Sequence, residues 1–139
     1  MGTTVRKTAA WLLSIMMISS AFLHAYWALG GTWFLATALG KSQEYVENLP
    51  MDIIILTWVF VVCMFFATYL ALARVGVLPR FALQWLYATG LWGFTVLMLG
   101  GAALNFSIND FWDRFVFGPI FLFLAILGLV LAWPLRQKE

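Results

Sequence analysis

Four uninterrupted apolar stretches limit the folds that this chain can adopt. They run near Thr8–Leu29, Met51–Ala73, Phe81–Leu104 and Phe111–Trp133. An α-helix needs about 20 residues to cross the hydrocarbon core of a bilayer, and each stretch supplies that length. Because lipid offers no hydrogen bonds to the backbone, such segments cross as helices. The sequence therefore predicts an all-α, polytopic membrane protein with a single four-helix transmembrane domain over residues 1–139.

Too few residues remain outside these stretches to form a second, soluble domain. Hydrophobic residues make up 64% of the chain and charged residues 10%, whereas soluble domains carry roughly 25% charged residues. The basic residues are few and scattered, so we expect no nucleic-acid partner. The expected surroundings are the lipid bilayer.

The charged residues predict an orientation in that bilayer. Two of the connections between the stretches hold acidic residues with only Lys41 and Arg114 as basic residues. The remaining basic residues flank the other ends: Arg6, Lys7, Arg74, Arg80, Arg136 and Lys138. Since basic flanks mark the cytoplasmic side, we expect a multi-pass protein of the cell (inner or plasma) membrane with the N-terminus and the C-terminus both cytoplasmic.

The first stretch ends in the segment 24–31, His-Ala-Tyr-Trp-Ala-Leu-Gly-Gly, which contains the chain's single histidine. Ser20, His24 and Trp27 follow helical spacing and should share one face. An ionisable residue inside a span needs partners and is a candidate for function. A neutral histidine can equally be satisfied by a serine or a backbone carbonyl, so a structural role stays open. Tyr26 and Trp27 are typical of interfacial anchors.

The connection that follows is the longest. Its apolar first half, Thr32–Leu39, is too short to span and predicts an interfacial helix or a flap over the outer mouth of the bundle. Asp52, after Pro50, suits the first turn of the second span.

Further polar residues should lie at the same outer side as His24, so that a functional cavity would open outward. Asp110 and Arg114 have the favourable acid-first spacing of a helical pair. The segment 107–110 resembles a capping box. The candidate binding residues are therefore His24, Tyr26, Trp27, Ser20, Trp33, Asp52, Asn105, Asp110 and Arg114.

Glycine and proline mark two features of the later spans. The third stretch carries Gly90, Gly93, Gly100 and Gly101, which predicts a helix against which others pack closely. Pro119 lies inside the fourth stretch, where it should kink the helix and free a backbone carbonyl.

The segment that begins at His24 resembles a known signature. Small four-helix bacterial membrane proteins, grouped only as a domain of unknown function, carry an early His-x-Tyr-Trp-Ala-x-Gly-Gly motif at the end of the first span. Here the motif residues are His24, Tyr26, Trp27, Ala28, Gly30 and Gly31, and Trp33 follows them. The resemblance implies four spans and a membrane location. It implies no catalytic residues, since the family has no established activity.

Several kinds of site lack the residues that they need. A bis-histidine haem requires two histidines, and no recognisable ligand spacing indicates a metal site. Cys63 is the single cysteine, which leaves no disulfide or thiolate cluster. We therefore expect no bound metal or cofactor.

Three functional interpretations remain. The favoured one is a binding protein whose outward pocket around His24 holds a lipid, a quinone-like or other apolar small molecule, or a partner membrane subunit. The second is a membrane-embedded enzyme that uses His24 as acid or base with a carboxylate such as Asp52. The third is a subunit of an oligomeric transporter, because one copy offers no polar path across the membrane; assembly with further copies of the chain also fits the favoured interpretation.

Overall fold

The structure is a computed structural model, and it describes residues 2–133. In that part of the chain the secondary structure is helical and contains no strand. The elements are α1 (Thr3–Ala28), α2 (Leu35–Leu39), α3 (Gln43–Glu47), α4 (Met51–Arg74), α5 (Gln84–Ser107), a π-helical turn (Asp113–Phe117) and α6 (Gly118–Ala132).

Four of these segments are long and apolar enough to cross a membrane. They are α1, α4, α5 and the continuous segment Asp113–Ala132, which joins the π-helical turn to α6. The predicted all-α fold with four membrane-length helices is thus confirmed. The described residues form two compact units: a first unit of residues 2–15 and 67–133, and a second unit of residues 16–66.

The third membrane-length helix begins and ends three residues later than predicted, for a reason that lies in its side chains. The backbone N–H groups of Phe81 and Ala82 donate to the Tyr87 hydroxyl at 2.9 and 3.2 Å, so these residues stay outside the helix. At the other end the Ser107 hydroxyl donates to the Leu104 carbonyl at 2.7 Å. Ser107 therefore closes α5, and the predicted capping box that would start the next helix with it is wrong.

In the first unit, α5 and α6 approach closely at glycines. A Cβ atom at Gly128 would lie 2.6 Å from the Thr95 hydroxyl, and one at Gly101 would lie 2.6 Å from the Phe121 ring. Gly93 and Gly100 face open space instead. The glycine-rich face of α5 is therefore a packing surface at some of its glycines and not at others.

A π-helical turn lies directly before Pro119, and the kink predicted at this proline stays a prediction. Pro119 has no N–H to donate to the carbonyl of Phe115, four residues earlier. In the turn just before it, the Gly118 N–H bonds to the Asp113 carbonyl, five residues back. Such π-helical turns inside α-helices are rare.

Candidate functional site

The end of α1 is a Schellman motif, the hydrogen-bonded turn that closes many helices. Gly30 adopts φ +95°, its N–H bonds to the Trp27 carbonyl at 3.0 Å, and the Gly31 N–H bonds to the Tyr26 carbonyl at 2.9 Å. A Cβ atom at Gly31 would overlap the Tyr26 ring, so the ring lies directly on the glycine backbone. An apolar contact between these two positions often accompanies the motif, and here the Tyr26 ring packs on glycine backbone. Tyr26, Gly30 and Gly31 therefore turn the chain back over the end of the helix.

Trp27 holds the returning chain. Its indole is buried, and its Nε1–H donates to the Trp33 carbonyl at 2.9 Å. Leu35 and Val46, from α2 and α3, form one apolar cluster with this indole. The short helices of residues 32–49 are therefore packed on Trp27, and we call this segment the flap.

The backbone is strained at Phe34, near the start of the flap. Phe34, the residue before α2, adopts φ 63°, in the left-handed region that side chains other than glycine rarely enter. This conformation costs roughly 1–2 kcal/mol. Its ring packs against the Trp27 cluster, and the next residue, Leu35, is buried in that cluster. The apolar burial offsets the backbone strain.

The histidine has one hydrogen bond that fixes the position of a proton. His24 Nδ1 lies 2.8 Å from the Ser20 carbonyl oxygen, one turn earlier in α1. A carbonyl only accepts, so Nδ1 carries the proton, and in the neutral ring Nε2 is then an acceptor. The imidazole lies 4.9 Å from the Trp27 ring and 6.2 Å from the Phe60 ring, centroid to centroid.

Nε2 forms no hydrogen bond with the residues that the structure describes, and no described carboxylate lies within ion-pairing distance of the ring. Residues 2–133 also contain no group of three histidine, cysteine or acidic side chains that could hold a metal ion. The imidazole is thus a single polar group without an acidic partner.

A cavity of about 130 Å³ lies beside this imidazole, wholly within the second unit. An apolar cavity near 150 Å³ holds one benzene molecule, whereas drug-sized ligands need roughly 300–1,000 Å³. The space therefore suits one ring or the end of a chain. Its walls come from α1, the flap and α4: His24, Trp27, Leu35, Leu39, Leu49, Ile53, Leu56, Thr57 and Phe60.

The hydrogen-bond donors of Thr57 and Trp27 on these walls already bond to carbonyl groups of the protein. The Thr57 hydroxyl donates to the Ile53 carbonyl at 2.7 Å, and the Trp27 Nε1–H donates to the flap. Because the remaining lining side chains are apolar, His24 is the lining residue with a hydrogen-bonding atom, Nε2, that is not used within the described residues.

The predicted candidates of the second unit contribute in different ways. His24 and Trp27 line the cavity, while Ser20 provides its carbonyl to the histidine and not its hydroxyl. Trp33 likewise uses its carbonyl, and its side chain is 70% exposed. Tyr26 packs on Gly31 and does not line the cavity. Asp52 is exposed in the first turn of α4, next to the lining residue Ile53.

The other three candidates belong to the first unit, where each is tied to nearby backbone or exposed. The Asn105 amide donates to the Gly101 carbonyl at 2.7 Å. The Asp110 carboxylate accepts from the Trp112 N–H at 2.8 Å. Arg114 is exposed, and no ion pair joins it to Asp110 in the described part of the chain. Their contacts are those of helix ends.

Sequence reasoning missed the wall that α4 provides. Ile53, Leu56, Thr57 and Phe60 are spaced three, one and three residues apart, which places them on one face of a helix. That periodicity is visible in the sequence. Its meaning could not be recognised because the whole of α4 is apolar, and a helix face toward a cavity then has the same composition as a face toward lipid.

Comparison with known proteins adds a family. Residues 17–128 match a family model described as "Protein of unknown function (DUF3995)". The chain belongs to this family. The match covers the segment from Ser20 to the cavity wall at Phe60 and continues through most of α6. It confirms a domain of unknown function, while the His-x-Tyr-Trp-Ala-x-Gly-Gly signature stays a prediction, and it supplies no activity or ligand. The search of curated proteins and the search of solved structures each found no significant match.

Proposed function

We propose that this member of the family is a membrane protein that binds a small apolar molecule in the cavity beside His24. The observation that carries the proposal is an apolar cavity of about 130 Å³ lined by the single histidine, whose Nε2 has no hydrogen-bond partner among the described residues. Ligand sites are concave and mostly apolar, with a few polar groups that orient the ligand. The cavity has these properties.

The proton on Nδ1 selects the chemistry of the ligand. With the neutral ring in this tautomer, Nε2 accepts a hydrogen bond and cannot donate one. A hydroxyl group on a ring, as in a phenol or a quinol, therefore suits the site better than a quinone carbonyl. The volume admits the ring, and a longer tail or the rest of a lipid would lie outside the cavity.

The two alternatives gain less support. An acid/base enzyme would need a carboxylate to orient His24, and the described residues place none within hydrogen-bonding distance. A transporter would need a polar path, and the cavity is lined almost entirely by apolar side chains. A partner membrane subunit or further copies of the chain remain compatible with the binding proposal.

The hydrogen bond can be tested with two probes of similar size, phenol and toluene. We expect the purified protein to bind phenol more tightly. His24→Phe keeps an aromatic side chain at this position and removes the hydrogen-bond acceptor. The affinity for phenol should therefore fall about fivefold, because one hydrogen bond contributes about 1 kcal/mol, and the affinity for toluene should be unchanged. Equal losses for both probes, or no loss, would contradict the role of Nε2.

The location of binding can be tested with a matched pair in α4. Ile53 lines the cavity, whereas Ile55 is 59% exposed and does not. Ile53→Trp should fill the cavity and reduce the binding of both probes at least tenfold, and Ile55→Trp should leave both unchanged. Binding that survives Ile53→Trp in a folded protein would place the ligand elsewhere.

We also propose that both termini face the cytoplasm. The Arg6 guanidinium bonds to the carbonyls of Leu131 and Trp133, so the start of α1 and the end of α6 lie at one end of the first unit. The basic residues at this end favour the cytoplasmic side. With Cys63 replaced by alanine, single cysteines before Arg6 and after Trp133 should both resist a membrane-impermeant thiol reagent in intact cells. Labelling of either cysteine would refute the orientation.

A further inference from the structure

Three arginines meet at one end of the first unit, near the first turns of α1 and the ends of α4 and α6. Arg6 and Arg74 are buried, at 5% and 6% exposure. Arg6 donates to the carbonyls of Trp133 at 2.9 Å and Leu131 at 2.7 Å, and Arg74 Nε donates to the same Leu131 carbonyl at 3.3 Å. Two guanidinium groups therefore lie side by side on one oxygen atom.

The third arginine joins them from the loop after α4. Arg80 donates through Nε to the Ala73 carbonyl at 2.8 Å and through a terminal nitrogen to the Arg74 carbonyl at 3.2 Å. All three side chains thus cap carbonyl groups at helix C-termini, where the helix dipole favours a cation.

The helix C-termini balance only part of the positive charge of the three arginines. Each helix C-terminus is equivalent to about half a negative charge, and two such ends face three full positive charges. In residues 2–133 no carboxylate forms an ion pair or a hydrogen bond with any of these arginines. This end of the first unit therefore carries an excess of positive charge that nothing in the described chain neutralises.

The arginines also retain free donors. A guanidinium has five N–H groups, and Arg74 uses one of them in the contacts described above. A fork of parallel N–H donors is the geometry that binds the oxygen atoms of a phosphate group. The cluster thus combines excess charge with the right donors for a phosphate.

The surroundings indicate the depth of a lipid headgroup. Arg74 is the last residue of α4, and the tryptophans at this end, Trp85 at the start of α5 and Trp133 after α6, are 60% and 57% exposed. Exposed tryptophans are typical of the boundary between lipid and water. Basic pockets between membrane helices bind anionic headgroups.

We propose that Arg6, Arg74 and Arg80 form a binding site for a phosphate group, carried either by the headgroup of an anionic phospholipid or by free phosphate. The bound phosphate balances the excess positive charge and accepts hydrogen bonds from the free N–H groups of Arg74. This site belongs to the first unit, and the proposal does not depend on the cavity beside His24.

The test compares phosphatidylglycerol with phosphatidylcholine by native mass spectrometry of the detergent-purified protein. Both lipids carry a phosphate, but the choline of the second cancels its charge, so the wild-type protein should retain phosphatidylglycerol at least tenfold better. Arg74→Gln and Arg80→Gln should each reduce this preference at least fivefold. Lys7→Gln is the matched control, because Lys7 is an exposed cation next to Arg6, and it should leave the preference unchanged.

Competition with inorganic phosphate identifies the source of the phosphate group. Displacement of phosphatidylglycerol by millimolar phosphate would show a site that also takes the free anion, and resistance would show a site for the lipid. Arg80 is exposed, so Arg80→Gln tests the site even if the protein does not fold with Arg74→Gln.

Three results would overturn the proposal. One is equal retention of the two lipids by the wild-type protein. Another is a loss in Lys7→Gln as large as that in Arg80→Gln, which would indicate unspecific charge. The third concerns Glu139, an acid outside the described residues: retention of phosphatidylglycerol only after Glu139→Gln would identify this carboxylate as the counter-ion.

Discussion

Two neighbouring glycines of α5 give the sharpest test of the helix packing. A Cβ atom at Gly100 meets nothing within 4 Å, whereas one at Gly101 would lie 2.6 and 2.8 Å from two atoms of the Phe121 ring. Replacement of glycine by alanine inside a helix stabilises by about 0.5–1 kcal/mol. At Gly101 overpacking of the ring opposes this gain by about 1–3 kcal/mol. Gly100→Ala should therefore stabilise the protein, and Gly101→Ala should destabilise it.

The two variants should differ by about 2 kcal/mol, which corresponds to roughly 4–8 °C in melting temperature for a chain of this size. The eight tryptophans allow the melting of the detergent-solubilised protein to be followed by intrinsic fluorescence. A smaller side chain at position 121 should relieve the strain, so adding Phe121→Leu to Gly101→Ala should recover stability. Equal shifts for Gly100→Ala and Gly101→Ala would refute the packing of α5 on α6.

The same melting assay tests two other contacts, and amide exchange tests a third. Tyr87→Phe leaves two backbone N–H groups before α5 without their acceptor, and it should destabilise by about 1 kcal/mol; an unchanged melting temperature would contradict this role. Ser14 has a buried hydroxyl with no hydrogen-bond partner in the described residues, so Ser14→Ala should be neutral or stabilise by about 1 kcal/mol, and a clear loss would reveal a partner. Trp27→Phe removes the hydrogen bond to the flap, and amide exchange in α2 should become about fivefold faster; an unchanged rate would show that the flap is held elsewhere.

The sequence was sufficient for the number of membrane-length helices because lipid imposes both the length and the apolar composition of a span. It also placed Ser20, His24 and Trp27 on one face, since helical spacing fixes that relation without tertiary information. The structure agrees: His24 Nδ1 donates to the Ser20 carbonyl, and the imidazole lies beside the Trp27 ring at a tilt of 58°.

The contacts that a sequence pattern cannot show are those made through the backbone. Trp33 was predicted as a candidate because of its aromatic side chain, but the group that Trp27 contacts is the backbone carbonyl of Trp33. Arg6 and Arg74 were predicted as markers of membrane orientation, and the structure shows them bonded to the carbonyl of Leu131. Every residue has a carbonyl, so no residue type identifies such a partner.

The cavity lining was hidden for a different reason. In a soluble protein, an apolar face on one side of a helix marks the core, but a membrane helix is apolar on every side. The positions of Ile53 and Phe60 therefore carried no signal that separated a cavity from lipid. Pro119, by contrast, did mark an irregular region, because the missing N–H of proline acts in any environment.

In the proposed site, the His24 imidazole carries its proton on Nδ1 and presents Nε2 to the ligand. Because the chain contains one histidine, the ¹⁵N spectrum of histidine-labelled protein shows this ring alone. We predict a protonated Nδ1 and an unprotonated Nε2, and on addition of phenol a shift of the Nε2 resonance that is absent in Ile53→Trp. A proton on Nε2, or an Nε2 resonance that phenol does not move, would contradict the account.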